Sequence, residues 1–247
     1  MEPMVVTEVG SPVQGVIKHL LVDRSDSVTR GQPIIELEAG AETINLAAAK
    51  TRANMQSEVS AREADLALAR LNLDRMQKLH DQNLVPTQKW DEAHAQKLVA
   101  SAALVQALES LKLAQIESRR AEQLLAQKTI LSPIDGVVVA QLVFPGEFVY
   151  DNPLITLAQL DPLRIEVVLP ARLFGKFKPG DTALIQPEIE HEEPLHATVQ
   201  VVDRLLDTRS GTFGVRLTLP NPELSIPGGQ KCQLEFLSGV ALVSSEQ

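Results

Sequence analysis

Between Gly40 and Pro133 the chain has a single helix breaker, Pro86; Ala41–Val85 and Thr87–Ser132 contain neither glycine nor proline. Both stretches are dominated by Ala, Leu, Gln, Glu, Lys and Arg, all good helix formers. Two antiparallel helices of roughly 40 residues follow, each ~60 Å long at about 1.5 Å per residue. Val59, Leu66 and Leu73 recur at steps of seven, with Met55, Ala69 and Met76 between them. On the return, Leu104, Leu108 and Leu111 make a matching stripe. Such a narrow seam belongs to a coiled coil rather than to a helix lying on a globular core. The alternating charges of READLALARLNLDRMQK read as a solvated face. In LHDQNLVPTQKWDEA, Asp81, Gln82 and Asn83 suit a helix end and Pro86 forbids continuation. Thr87 can cap the returning helix, with Asp91 and Glu92 in its first turns. A hairpin this long buries little for its size, so its tip must reach something or pack on copies of itself.

The segments on either side of the hairpin resemble one another. VGSPVQGVIKH (Val9–His19) and TILSPIDGVVV (Thr129–Val139) share Ser-Pro-x-x-Gly-Val, at Ser11 and at Ser132. Further on, GQPIIELEAG and DNPLITLAQL align Pro33-Ile34-Ile35 with Pro153-Leu154-Ile155 after a shift of one residue. Both copies alternate apolar and polar residues between Gly and Pro, the pattern of short strands and turns. A repeat present only twice is no solenoid. It predicts two halves of one small β-domain split by the helical insertion.

From Asp161 the pattern changes again. LRIEVVL, TALIQPEI, HATVQVVDRLL, TFGVRLTL and QKCQLEFL are strand candidates separated by turn-rich segments. They predict a β-barrel of about six short strands, since closure removes exposed edges. Aromatic residues are only 3% of the chain, which argues against one large packed core and against a stacking surface for single-stranded nucleic acid. A formal net charge of −9 makes a polyanionic partner a poor fit. The lone cysteine, Cys232, forms no intrachain disulfide, and no apolar run reaches the ~20 residues of a membrane span. MEPMVVTEVG lacks the basic and apolar parts of a secretory signal, so either the chain is cytoplasmic or it is a mature or trimmed form.

Nucleophile elbows, phosphate-binding loops, dinucleotide glycines and zinc spacings are missing from the sequence. The histidines, His19, His80, His94, His191 and His196, are scattered. In EIEHEEPLH, His191 and His196 among carboxylates read either as an exposed acidic hairpin or as a weak divalent-cation site. Asp203, Asp207 and Arg209 read as a structural carboxylate–guanidinium pair. No constellation supports an enzyme, and no cofactor or metal is expected. A split half-barrel also suggests a biotin- or lipoate-carrying domain. Such carriers need a lysine at the tip of a tight turn joining the halves, and here that junction is the whole insertion, with no lysine before Lys50.

The order of β-half, α-hairpin, β-half and β-barrel resembles the periplasmic adaptor subunits, or membrane fusion proteins (HlyD-like), of Gram-negative tripartite efflux pumps. GSPVQGVI…VDRSDSVTRGQPIIELE, KTILSPIDGVVVAQLVFPGEFV and LLDTRSGTFGVRLTLPNPELSIPGG carry the likeness. It implies an α+β, multidomain chain: a lipoyl-like β-sandwich (1–40 plus 129–160) split by an antiparallel coiled-coil hairpin (41–128, tip near 81–88). A small β-barrel (161–240) and a tail (241–247) follow. It implies an adaptor between an inner-membrane transporter, often of the resistance–nodulation–division (RND) type, and a TolC-like outer-membrane channel. The adaptor would act by assembly, self-associate as a trimer or hexamer, and reside in the periplasm, attached to the inner membrane in its full-length form. Channel-docking tips of the family resemble Arg, Leu four residues later, then Ser or Thr seven further on. Arg75 and Leu79 fit; the third position is Pro86, with Thr87 one residue late. The chain also stops soon after the barrel, where a membrane-proximal domain is usual, so it is expected to be a short member or a truncated form. Two other readings stay open: a coiled-coil scaffold outside any pump, and an adaptor of an ABC or type I secretion system.

Overall fold

The computed structural model describes residues 1–189, 194–237 and 240–244. The chain divides into two compact units, Met1–Leu37 with Ile130–Gln247, and Glu38–Thr129.

In the first unit the duplicated segments fold the same way and exchange strands. The first copy supplies β1 (Glu2–Gly10), β2 (Gly15–Leu20), β3 (Ser27–Val28) and β4 (Pro33–Leu37). The second supplies β5 (Thr129–Leu131), β6 (Gly136–Gln141), β7 (Phe148–Val149) and β8 (Pro153–Pro170). β2 pairs with β7 and β3 with β6, so each half closes on the other. β4 lies between β5 and β2, as β8 lies between β1 and β6. The Ser11 hydroxyl donates to the Val13 carbonyl, and the Ser132 hydroxyl donates to that of Ile134 at 2.6 Å. Each Ser-Pro is thus the same turn, closed by a serine two residues back. Ser25 and Gly146 occupy matching corners with φ +73° and +89°. Their N–H groups donate to Val138 and Ile17 at 2.9 and 2.8 Å. The shift of one residue between the copies falls between the paired corners and β4 or β8, where loop 29–32 is one residue longer than loop 150–152. Ile17, Ile34, Ile35, Leu154, Ile155 and Leu157 are fully buried in the common core.

β8 does not stop at the expected boundary near 160. It is 18 residues long in all, runs on to Pro170 and opens the second core. β9 (Thr182–Pro187), β10 (Leu195–Val202), β11 (Thr212–Leu219), β12 (Cys232–Phe236) and β13 (Val240–Ser244) complete it, in the order β13-β12-β9-β10-β11-β8. All pairs are antiparallel, and inward residues alternate, as in Leu163, Ile165, Val167 and Leu169 of β8. Phe177 and Phe236 meet at 4.1 Å between ring centroids, and branched aliphatics fill most of the remaining core. β1 pairs along β8 as far as Glu2↔Arg164, which carries Met1 into the barrel core. The segment expected as a tail contributes β13.

The second unit is the hairpin, with two departures from expectation. Its outgoing arm is two helices, α1 (Gly40–Ala53) and α2 (Ser57–Asp81), both running along α3 (Thr87–Ala126). The break contains no glycine or proline; Asn54 and Gln56 instead sit near ψ 0°, away from helical values. The seam is also narrower than predicted. Val59 and Leu66 are buried and Leu73 half-buried, but Met55, at the break, is 59% exposed and Leu108 also faces outward. Opposite them, small residues, Ala93 and Ala107, are buried, which lets the helices approach closely. At the base, Lys128 pairs with Glu42 at 3.1 Å and Lys50 with Glu122 at 3.0 Å.

Candidate functional site

The hairpin tip is built by a left-handed helix end. Asn83 has φ +58°, a conformation open to Gly and tolerated by Asn. Its N–H donates to the His80 carbonyl at 2.8 Å, and the Leu84 N–H reaches back to the Leu79 carbonyl at 2.9 Å. This pair of bonds is a Schellman motif, and it satisfies two carbonyls that the end of α2 would otherwise leave open. Leu84, at the apex, is 66% exposed. Pro86, extended at φ −63° and ψ 149°, is the N-cap of α3.

The four tip residues singled out by sequence fall into different surroundings. Arg75 and Leu79 lie four apart on α2, hence on one face. Arg75 is exposed and enters no ion pair among the described residues; Leu79 is half-buried. Pro86 is exposed. Thr87 does not cap α3: it is already the first helical residue, and α3 has no side-chain cap. Its hydroxyl lies 3.3 Å from His80 Nε2. The capping expectation fails because Pro86 takes the cap position, leaving Thr87 too far into the helix.

A brace just below the tip was not anticipated. Trp90, the only tryptophan, donates from Nε1 to Gln77 Oε1, and Gln77 Nε2 donates to Asp81 at 2.8 Å. The Trp90 ring stacks on His94 at 5.4 Å and lies 6.1 Å from His80. Aromatic scarcity was the available signal, since a lone Trp beside a turn carries more packing than its neighbours. Lys78–Asp74 and Lys89–Glu92, both at 2.8 Å, neutralise nearby charge within each helix. Hydrogen bonding to Lys89, then to Gln88, holds the Glu92 carboxyl below its ordinary value. These exposed pairs add little stability, but they leave Arg75 as an uncommitted cation near the apex.

The other sequence candidates do not assemble. His191 lies outside the described residues, and His196 is exposed on β10. Among the described residues no group of His, Cys, Asp or Glu is placed to hold a metal. The expected pairing of Arg209 with Asp203 or Asp207 does not form. Asp207 Oδ1 instead accepts the backbone N–H groups of Arg209 at 2.8 Å and Ser210 at 3.4 Å. Two residues of separation favour that local turn over a guanidinium contact.

The described residues thus form a split lipoyl-like domain, a hairpin inserted between its halves in sequence, and a following β-barrel. Comparison with known proteins finds the same kinds of element elsewhere. Residues 51–121 match the RND membrane fusion protein (MFP), alpha-helical hairpin domain, so the hairpin is similar to that domain. The multidrug export protein AcrE of Escherichia coli (strain K12) is 25% identical over 250 residues, which are 95% of this chain and 62% of AcrE. The cobalt-zinc-cadmium resistance protein CzcB of Cupriavidus metallidurans is 26% identical over 212 residues, 85% of this chain and 38% of CzcB. The crystal structure of MacA from Actinobacillus actinomycetemcomitans superposes with a TM-score of 0.79 at 26% identity. It covers 98% of this chain and 77% of that one. The chain therefore spans less than two thirds of the length of both curated relatives.

Proposed function

We propose that this chain is a periplasmic adaptor, joining an inner-membrane efflux transporter of the RND type to a TolC-like outer-membrane channel. It acts by assembly, without catalysis. The hairpin carries the reading: it matches the RND family and ends in a pinned apex bearing an uncommitted Arg75 with Leu79 one turn on. In this reading Arg75 and Leu79 meet the channel directly, Pro86 shapes the approach, and Thr87 acts through His80.

Self-association is the second part of the proposal. Leu98, Val105 and Ile116 of α3 are exposed and recur at seven and eleven residues, both close to whole turns. Leu98 lies nine residues, about two and a half turns, from buried Ala107, and so on the opposite side of the helix. On α2, Leu68 and Leu71 are exposed as well. Each arm thus offers an apolar stripe away from the internal seam, which supports side-by-side packing with further copies of the hairpin. No helix among the described residues is long and apolar enough to cross a membrane; attachment to the inner membrane belongs to the proposal.

Deleting the gene from its host and restoring it in full length tests the reading. An adaptor restores resistance to at least one exported compound, and Arg75→Asp, expressed at the same level, does not. A scaffold outside any pump restores none.

A further inference from the structure

The barrel end farthest along β8 from the lipoyl-like core gathers three loops. Ala171 N–H donates to the Gly211 carbonyl at 2.8 Å, which ties segment 171–181 to segment 203–211. Leu237 N–H donates to Thr182 at 3.2 Å and brings the end of β12 alongside. Large apolar side chains project from all three: Phe174, Leu205, Leu206 and Leu237 are exposed, Leu205 at 84%. The loops carrying most of them are held. Phe174 stands edge-on to Phe213 at 5.4 Å, and Asp207 fastens the turn after Leu206 through the Arg209 and Ser210 N–H groups. A hollow of about 360 Å³ lies between Phe174 and Val201–Arg204, and its lining includes none of the exposed leucines.

The same loops carry five exposed cations, Arg172, Lys176, Lys178, Arg204 and Arg209. None of them is in an ion pair among the described residues. Three carboxylates accompany them, Asp181, Asp203 and Asp207, and two of these accept backbone N–H groups of their own turns. This end is therefore positive on a chain whose net charge is −9.

We propose that this end of the barrel seats on an anionic phospholipid surface. Phe174, Leu205, Leu206 and Leu237 enter the headgroup boundary, and the basic collar meets lipid phosphates. Protruding apolar tips ringed by Lys and Arg are the chemistry of interfacial membrane binding. The centre of a protein–protein interface is instead depleted of lysine and more closely packed. Two weak contributions, apolar insertion and charge, make the binding reversible and salt-sensitive. The inference stands apart from tip docking and does not depend on it.

Sedimentation of the full chain with phospholipid vesicles tests this. With vesicles of phosphatidylcholine and phosphatidylglycerol at low salt the chain pellets; with phosphatidylcholine alone it stays in the supernatant, and raised salt releases it. Leu205→Asp, and separately the double variant Lys176→Glu with Arg204→Glu, lose pelleting while melting like the unaltered chain. Ile44→Asp, at an exposed position of α1, keeps it. No pelleting with anionic vesicles, or pelleting unchanged in both variants, overturns the proposal. Loss of resistance in Leu205→Asp without any vesicle binding also overturns it, and identifies this end as a protein-docking surface.

Discussion

Asn83 offers the most direct test of how the tip is held. Its φ of +58° costs an ordinary L-residue roughly 1–2 kcal/mol, part of which Asn recovers and all of which Gly avoids. Two hydrogen bonds depend on that corner, from Asn83 to His80 and from Leu84 to Leu79. Asn83→Val should therefore open the turn by about 1–2 kcal/mol. Asn83→Gly should be nearly neutral, because relief of strain is offset by the greater freedom of glycine in the unfolded chain. The opening is local, so the β unit melts unchanged while the apex frays. Amide hydrogen exchange resolves this: the Leu84 N–H, protected by its bond to Leu79, should exchange about tenfold faster or more in Asn83→Val, since about 1.4 kcal/mol is one decade. If the tip docks, Asn83→Val also weakens resistance while Arg75 and Leu79 remain in place. Equal protection of Leu84 in the Val variant and the unaltered chain would refute the argument. So would a Gly variant as frayed as Val.

Four further outcomes are expected. Removing 41–128 and joining the ends by a short turn should leave a folded β unit by circular dichroism and amide exchange, because both of its cores lie within Met1–Leu37 and Ile130–Gln247. At the hairpin base, the backbone N–H of Glu42 and then Lys128 hold the Glu42 carboxyl below its ordinary value of 4.5. A lowered folded value gives stabilisation that is complete above that pH and lost as pH falls through the folded value. Melting of helical ellipticity should thus favour the unaltered chain over Glu42→Gln at neutral pH, with the advantage shrinking below about 4.5. At the tip, Thr87→Ala should lose only the contact to His80 and melt within about 0.5 kcal/mol of the unaltered chain, as surface changes usually do. Arg75→Asp and Leu79→Ser should abolish resistance at normal expression; resistance retained in both ends the docking reading.

What could be read from the sequence was local and periodic. The Ser-Pro turns, the helix-forming runs and most of the alternating strands depend on near neighbours and lie where the residues place them; HATVQVVDRLL, expected as one strand, leaves the sheet after Val202, and Asp203–Leu206 form a loop. The break in the outgoing arm escaped because Asn54-Met55-Gln56 holds no breaker; only the backbone angles reveal it. The seam departs from the heptad pattern at Leu108 because heptad counting does not register which apolar positions meet alanines. Thr87 lies one position past the cap, enough to turn a cap into a first-turn residue. The basic apolar end of the barrel is invisible in sequence, since its three loops lie far apart along the chain and only the strand order brings them together.

The continuity of β8 bears on how such a chain can move. The sequence marks 160–161 as a boundary, and a hinge would be natural between two domains joined there. What lies there is a strand irregularity: the β1–β8 register slips between Pro3↔Leu163 and Val5↔Gln159 and then resumes. β1 pairs on both sides of the slip, and β11 takes over along the barrel half, from Leu219↔Leu163 to Thr212↔Pro170. Bending between the lipoyl-like and barrel parts must therefore break ladder hydrogen bonds in β1 and β8 together. Within the hairpin the constraint is weaker. At Asn54–Gln56 one arm has already left helical geometry, Met55 buries little, and only α3 is continuous alongside. Flexing there costs fewer bonds than flexing at β8, so the hairpin shaft is more compliant than the joint between the lipoyl-like and barrel parts.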